Sequence, residues 1–386
     1  MEFTFSEEQR IFYDQVRKFV TEELVLPVEE YYKYDDNQEF VWKNWKKMSE
    51  FGLLGLPLPE EYGGSGADAV TTCIAIEAAA RSGLDAGTLL AWGAHMILSG
   101  IPILKLGTEE QKKKYLPGIC SGEKIGGFGL TEPGAGSDAA AISTTAVKTD
   151  KGWLLNGTKM FITNGPIGSQ FVVAAVTNKE QKAFGISTFI VESGYPGFSV
   201  GKDLIKLGNR TSTTSELIFE DCLVPHDNLL GPENFGFVTV AKLILGWERS
   251  CLIAAGVGGI GAGLEVSAKY ALERRQFNRP IAEFQAVQHK IANMKIAYEA
   301  GRQLIYRVAS MLDKGEDNLL DAAVAKEFIT REVIRSADET VQIHGGYGYM
   351  KEYQVERGIR DAKLASIGGG TSEIQLSIIA RALMQV

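Results

Sequence analysis

An α+β protein is predicted, with an N-terminal helical domain, a middle antiparallel β-barrel or sandwich domain and a C-terminal four-helix-bundle domain. Three observations predict it. Apolar residues recur at helical spacing to about residue 122, strand-like runs separated by turn pairs follow, and three long helical stretches return after residue 235. The corresponding domains are 1–123, 124–232 and 233–386.

The first helix opens at Ser6, which with Gln9 has the spacing of a capping box. Phe12, Val16, Phe19 and Val20 then fall on one helix face, and Cys73, Ile76, Ala79 and Ala80 repeat the spacing. Glycine clusters such as Gly63-Gly64-Ser65-Gly66 punctuate the helices. Thr108 caps a further helix that runs to Leu116, with Pro117-Gly118 as its stop.

Near Lys124 the period changes. Gly152 to Leu155, Phe171 to Val176, Ser187 to Val191 and Glu216 to Phe219 read as strands, divided by Asp150-Lys151-Gly152, Asn156-Gly157 and other turn pairs. Pro225, Pro232 and the polar residues between them mark a boundary. Beyond it Ala241 to Leu272, Gln285 to Leu312 and Leu319 to Ile343 carry helical periodicity, broken by Pro280, Gly315 and Gly345-Gly346. Long helices on short links pack as an antiparallel bundle. Near the C-terminus Gly368-Gly369-Gly370 feeds a last helix capped by Thr371 or Ser372. Such a loop is either an anion site or a plain turn.

Composition excludes several classes. A formal charge of −8 leaves no basic stripe to neutralise a nucleic-acid backbone. Four cysteines without a Cys-x-x-Cys pair, and four scattered histidines, argue against a metal site and against a disulfide framework. The N-terminus has no basic region leading into an apolar core, and no apolar run reads as long enough to span a bilayer, so no membrane association and a cytoplasmic location are expected. No strand–glycine–helix unit of the dinucleotide-binding kind occurs, which counts against a nicotinamide fold.

Five stretches remain: Phe128-Gly129-Leu130-Thr131-Glu132-Pro133-Gly134-Ala135-Gly136-Ser137-Asp138, Phe161-Ile162-Thr163-Asn164, Glu273-Arg274-Arg275-Gln276-Phe277, Gln342-Ile343-His344-Gly345-Gly346-Tyr347-Gly348, and Arg360-Asp361-Ala362-Lys363 followed by Gly370-Thr371-Ser372-Glu373-Ile374-Gln375. Taken together, in this order and over essentially the whole chain, they resemble the acyl-CoA dehydrogenase family. The resemblance implies FAD as cofactor. It puts Leu130, Thr131, Phe161 and Thr163 around the flavin ring and Gly136 and Ser137 at its pyrophosphate, with Thr371 and Glu373 holding the nucleotide. It sends Arg274, Phe277, Gln285, Gln342, Gly345 and Gly346 toward the FAD of a neighbouring subunit, and so implies a homotetramer or dimer of dimers. From spacing alone, Arg274 and Phe277 are one helical turn apart and share a face, which suits a phosphate clamp with a stacking partner.

Such chemistry needs a carboxylate to take the proton beside the thioester carbonyl, and donors to that carbonyl. Most family members resemble one another in a Glu just before the Gly-Thr of the last glycine loop. Here Gly369 stands at that position. Glu248, in the apolar stretch Gly246-Trp247-Glu248-Arg249-Ser250, stands where the isovaleryl-CoA and long-chain branches put their base, and burial there raises a carboxyl pKa. Gly369 then keeps a main-chain N–H for the carbonyl.

Trp92, Ala94, His95, Trp247, Arg249, Leu252 and Gly368 are the expected substrate contacts. Their neighbourhood looks like prolyl-carrier-protein dehydrogenases and oxidases, so a prolyl or similar compact aminoacyl thioester on an acyl or peptidyl carrier protein is the expected substrate. The alternatives are a short or branched acyl-CoA of the isovaleryl kind and, from another class, a non-catalytic flavin-binding assembly protein motivated by Gly369. The electron acceptor is left open between oxygen and an electron-transfer flavoprotein.

Overall fold

The computed structural model describes residues 5–384. Its N-terminal helices begin where the sequence provides caps. Ser6 Oγ accepts from the Gln9 N–H while Gln9 Oε1 accepts from the Ser6 N–H, and Thr108 and Gln111 repeat the box. The second of these helices, Glu109–Cys120, does not stop at Pro117 as expected. Tyr115, Leu116, Ile119 and Cys120 are all buried on one side, and that packing carries the helix past a residue whose fixed φ is itself helical.

The middle region is an eight-stranded sheet whose pairings are mostly antiparallel, as expected, with parallel pairings added that make it mixed. The strands are β1 (Gly126–Gly129), β2 (Thr145–Thr149), β3 (Gly152–Thr163), β4 (Gln170–Val176), β5 (Ile186–Glu192), β6 (Phe198–Val200), β7 (Thr214–Val224) and β8 (Leu229–Leu230). They run in the order β6-β7-β3-β2-β4-β5-β8, with β1 parallel to β4 and a parallel contact between β2 and β4. Residue alternation reports which face a side chain takes, not the direction of the neighbouring strand, so the parallel pairings were not legible. Both faces of β4 are covered. Phe171, Val173 and Ala175 join the inner core of the sheet, while Val172 and Ala174 pack on the helices. Asn156-Gly157, expected as a turn, lies inside β3 at a register shift against β7, where a Cβ on Gly157 would meet Thr144 Oγ1 at 2.6 Å.

The C-terminal helices include the nearly continuous Gly236–Glu273, then Gln285–Asp313, Leu319–His344 and Ser372–Met384. The stretch around Arg274 and Phe277 is not helical. The chain leaves the helix at Arg274, and Arg275–Gln276 pairs with Arg279–Pro280 across a two-residue turn in which Phe277 and Asn278 both have positive φ, 51° and 64°. Two helical runs, Ala86–Leu106 and Gly236–Glu273, are long and apolar enough by length and composition to cross a bilayer, contrary to the sequence reading. The first is mostly buried in the core, and the second packs its Ala254–Glu273 part against Ala69–Arg81, Gln285–Asp313 and Leu319–His344. The first is a core helix, and the second is only partly covered by the helices it packs on.

Candidate active site

The glycine loop is built by what lies beneath it. Gly369 and Gly370 have φ of 63° and 91°, a conformation that favours glycine, and Thr371 Oγ1 accepts from the Ile374 N–H to start the last helix. Three buried side chains hold the loop's carbonyls. Arg249 Nε donates to Gly369 O at 2.9 Å, Lys326 Nζ to Gly370 O at 2.7 Å, and Gln375 Nε2 to Gly370 O at 3.0 Å. Among the described residues the Gly369 N–H donates to no protein group, which leaves it available to a ligand.

Over this loop stands Glu248. A Cβ built on Gly369 would lie 2.7 Å from Glu248 Oε1 and 2.8 Å from its Cδ, far inside contact distance. Glu248 lies on a π-helical turn, Glu248–Leu252, a distortion frequent at functional sites. Burial pushes its carboxyl above the ordinary range, and the charges of Lys326 and Arg249 act against that rise. Neither cation lies within 4.0 Å of a carboxylate oxygen among the described residues, so Glu248 is not locked into an ion pair.

The segment leading into the loop is anchored to both other domains, which gives the Arg360-Asp361 motif a physical meaning. Arg360 bonds Asp35 Oδ2 at 3.2 Å and Leu207 O at 3.2 Å, while Asp361 Oδ1 accepts from the Asn209 N–H at 2.6 Å.

A second group of expected residues lies along β1 and β3. Lys159 Nζ, fully buried, bonds Glu132 Oε1 at 2.6 Å and Leu130 O at 3.1 Å, and Glu132 also accepts from Ser143 and Thr144. This pair fixes the Leu130–Thr131 turn, which the Met160 N–H also grips at Thr131 O. A bulge between Lys159 and Ile162 re-aims Phe161, which has a φ of 61° and remains 66% exposed. An exposed aromatic held in a conformation rare for such residues is costly unless a ligand uses it. Thr131 and Thr163 are half-buried with hydroxyls that bond no described protein group, and Gly136 and Ser137 lie exposed with open space beside Gly136. This combination of a planar ring, free hydroxyls and an open glycine turn fits a flavin and its pyrophosphate.

Arg274, Phe277, Gln285, Gln342, Gly345 and Gly346 form a third group on the helical bundle. The Arg274 guanidinium lies 5.3 Å from the Tyr347 ring centre, Phe277 is 87% exposed on its hairpin, and Gln285, Gln342 and both glycines are exposed. Arg274 and Phe277 therefore project from a hairpin, not from one helix face.

Several expected substrate contacts prove to be core residues. Trp92 is fully buried and donates Nε1–H to Leu53 O at 2.9 Å, and Ala94 is buried beside it. His95 accepts from the Gly126 N–H at Nδ1, so its Nε2–H donates to Ile119 O at 2.9 Å. Burial keeps that ring neutral, pushed down to about 4, and Trp45 packs edge-on against it. Arg249 serves the loop from below. Leu252 closes against Gly93, where a Cβ would come within 2.2 Å of its Cδ1, while Trp247 is nearly buried and Gly368 is exposed on the loop. Sequence reasoning missed Lys326, Glu132 and Lys159. A lysine placed directly after the apolar run Ala322-Ala323-Val324-Ala325 was the available signal for the first.

Sequence models of the acyl-CoA dehydrogenase N-terminal, middle and C-terminal domains match residues 6–123, 127–222 and 234–384. The chain is 43% identical to an acyl-CoA dehydrogenase of Bacillus subtilis (strain 168), covering 98% of each, and 40% identical to the mitochondrial isovaleryl-CoA dehydrogenase of Oryza sativa subsp. japonica, covering 99% of this chain and 92% of the other. The crystal structure of the prolyl acyl carrier protein oxidase AnaB superposes with a TM-score of 0.95 at 36% identity, covering 98% of this chain and all of the other. On these matches and this fold, the chain belongs to the acyl-CoA dehydrogenase family: a flavin-dependent oxidoreductase of acyl thioesters, with FAD as its cofactor.

Proposed function

We propose that the chain desaturates a compact acyl thioester between its α and β carbons, with Glu248 as the base. The observation that carries this reading is the Glu248 carboxylate lying over Gly369, free of an ion pair and raised in pKa by burial. Glu248 takes the α-proton as the electron pair of that C–H bond becomes part of the new double bond. Bound FAD would supply the two-electron acceptor for the hydride that leaves the β carbon. The free Gly369 N–H donates to the thioester carbonyl as negative charge builds there. Thr131, Thr163 and Phe161 would hold the flavin ring, with Gly136 and Ser137 at its pyrophosphate.

The substrate we favour is a prolyl or similar aminoacyl group on a carrier protein. The structural likeness to AnaB supports it, as does the close packing of Leu252 on Gly93, which leaves little room beside the Glu248 helix. The higher identity to the isovaleryl-CoA enzyme favours a second reading, a short branched acyl-CoA. Turnover of prolyl-carrier protein against isovaleryl-CoA tests the two. A larger kcat/KM for the carrier thioester is expected, and preference for isovaleryl-CoA would replace the first reading by the second. In either case a homotetramer sharing FAD between subunits is our reading of the exposed Arg274–Phe277 hairpin.

A further inference from the structure

We propose that Lys326 is a positioning residue for the reaction: its ammonium clamps the two ends of the glycine loop and brings to Glu248 a positive charge from across the bundle. The inference rests on Glu248 being the base. Lys326 lies on Leu319–His344 and is only 3% exposed. Its Nζ donates to Gly370 O at 2.7 Å and to Ala365 O at 3.2 Å, two carbonyls that bracket residues 366–369, and Thr330 one turn further on donates to Ala365 O as well. Lys326 is thus the side chain that ties the two ends of the loop to each other, beside the single-ended bonds of Thr330, Gln375 and Arg249.

Packing alone does not explain a lysine here. A buried ammonium is expensive unless its charge is answered, and an apolar side chain of equal length would fill the space without that cost. No carboxylate oxygen lies within 4.0 Å of Nζ among the described residues. Burial pushes the ammonium down to about 8, and the foremost opposing influence is the negative charge of Glu248. Glu327, next to Lys326 on the same helix, adds a second and lesser negative charge at the ammonium, and the groups on the other elements packed around Glu248 are engaged elsewhere. Arg249, on its own helix, bonds Gly369 O. Glu77 on Ala69–Arg81 is bonded by Tyr298, Tyr306 and Arg302 from Gln285–Asp313, and Asp313 at the end of that helix accepts from the Ala69 and Val70 N–H groups. His95 is neutral and bonded to main chain, Cys73 is a neutral thiol, and Gln375 carries no charge. Lys326 is therefore the cation that a second element contributes to the base.

The test uses the full-length FAD-loaded protein and its Lys326→Met, Lys326→Gln and Lys326→Arg variants. Exchange of the thioester α-hydrogen with deuterated solvent and flavin reduction are each followed against pH. Lys326→Gln retains a donor for the loop but no charge, so it remains yellow while the acid limb of the exchange profile moves up by about one pH unit, a roughly tenfold loss below the limb. Lys326→Arg returns the limb toward its original place. Lys326→Met, lacking the donor as well, loses rate at every pH; if it does not fold, the glutamine variant carries the test. An acid limb unmoved in yellow Lys326→Gln overturns the proposal. Glu248→Gln run alongside separates the premise: wild-type exchange in that variant removes the base itself, whereas an exchange-dead Glu248→Gln beside an unmoved Lys326→Gln limb overturns the role of Lys326 alone.

Discussion

The carboxylate of Glu248 occupies the space that a side chain at position 369 would need, 2.7 Å from where its Cβ would stand. The two positions are mutually exclusive hosts for a side chain. A glycine at 369 is what lets a carboxylate borne by a different helix reach the same spot, and Arg249 and Lys326 pin the loop's carbonyls so that it stays there.

Gly369→Val places branched carbon atoms into that carboxylate and into a φ of 63°. The backbone strain costs about 1–2 kcal/mol, visible as a lower urea midpoint. The steric displacement of Glu248 is expected to reduce kcat at least tenfold while FAD is retained. Wild-type turnover in this variant would show that the loop does not border the reacting atoms.

The pH dependence follows from the direction of the Glu248 shift. Burial raises its pKa, so the protonated, inactive form persists above the ordinary carboxylate range, and turnover rises as pH climbs through the raised value. A pH profile of kcat/KM for the thioester checks this. The acid limb is expected above the position of an exposed glutamate and to disappear with the activity in Glu248→Gln.

Glu132 and Lys159 form the most deeply buried ion pair of the sheet, with side chains almost without exposure. Burial by itself would raise the glutamate, but the Lys159 charge and the bonds from Lys159, Thr144 and Ser143 hold it down at about 2. Its stabilising contribution is therefore present above the unfolded pKa and is lost only as pH falls toward 2. Glu132→Gln leaves the buried ammonium unanswered and is expected to cost about 3–5 kcal/mol, with a loosened Leu130–Thr131 turn and weaker FAD retention. Chemical denaturation and flavin fluorescence measure the two effects.

Phe277 touches little besides Phe284, at 5.9 Å between ring centres, and is 87% exposed. Phe277→Ser is expected to leave the melting temperature of the isolated chain nearly unchanged while weakening FAD retention and subunit association. Ultracentrifugation and flavin release read these outcomes; unchanged values for both would remove the hairpin from the shared site.

Long, strongly periodic helices and capping boxes were legible because each is a local property of the chain. Glu248 stood out as an acid in an apolar stretch, and the structure puts its carboxylate beside the loop that lacks one; its role as base is the proposal made above. What escaped reading depends on distant partners. The parallel neighbours of β4 are chosen by tertiary packing, Asn156-Gly157 has turn chemistry but is held in a bulge by Thr144 and β7, and Arg274-Arg275-Gln276 has helix-forming residues but leaves the helix for a hairpin. His95 was read toward substrate because its partners, Ile119 and Gly126, supply only main-chain atoms, which no residue pattern announces.

The central claim is tested most directly by mixing Glu248→Gln, loaded with FAD, anaerobically with prolyl-carrier protein and with isovaleryl-CoA while the flavin absorbance is followed. Glutamine keeps the shape over Gly369 and removes the base. The protein is expected to stay yellow with either thioester while the unsubstituted protein bleaches; rapid bleaching of Glu248→Gln would contradict the assignment of the proton to Glu248.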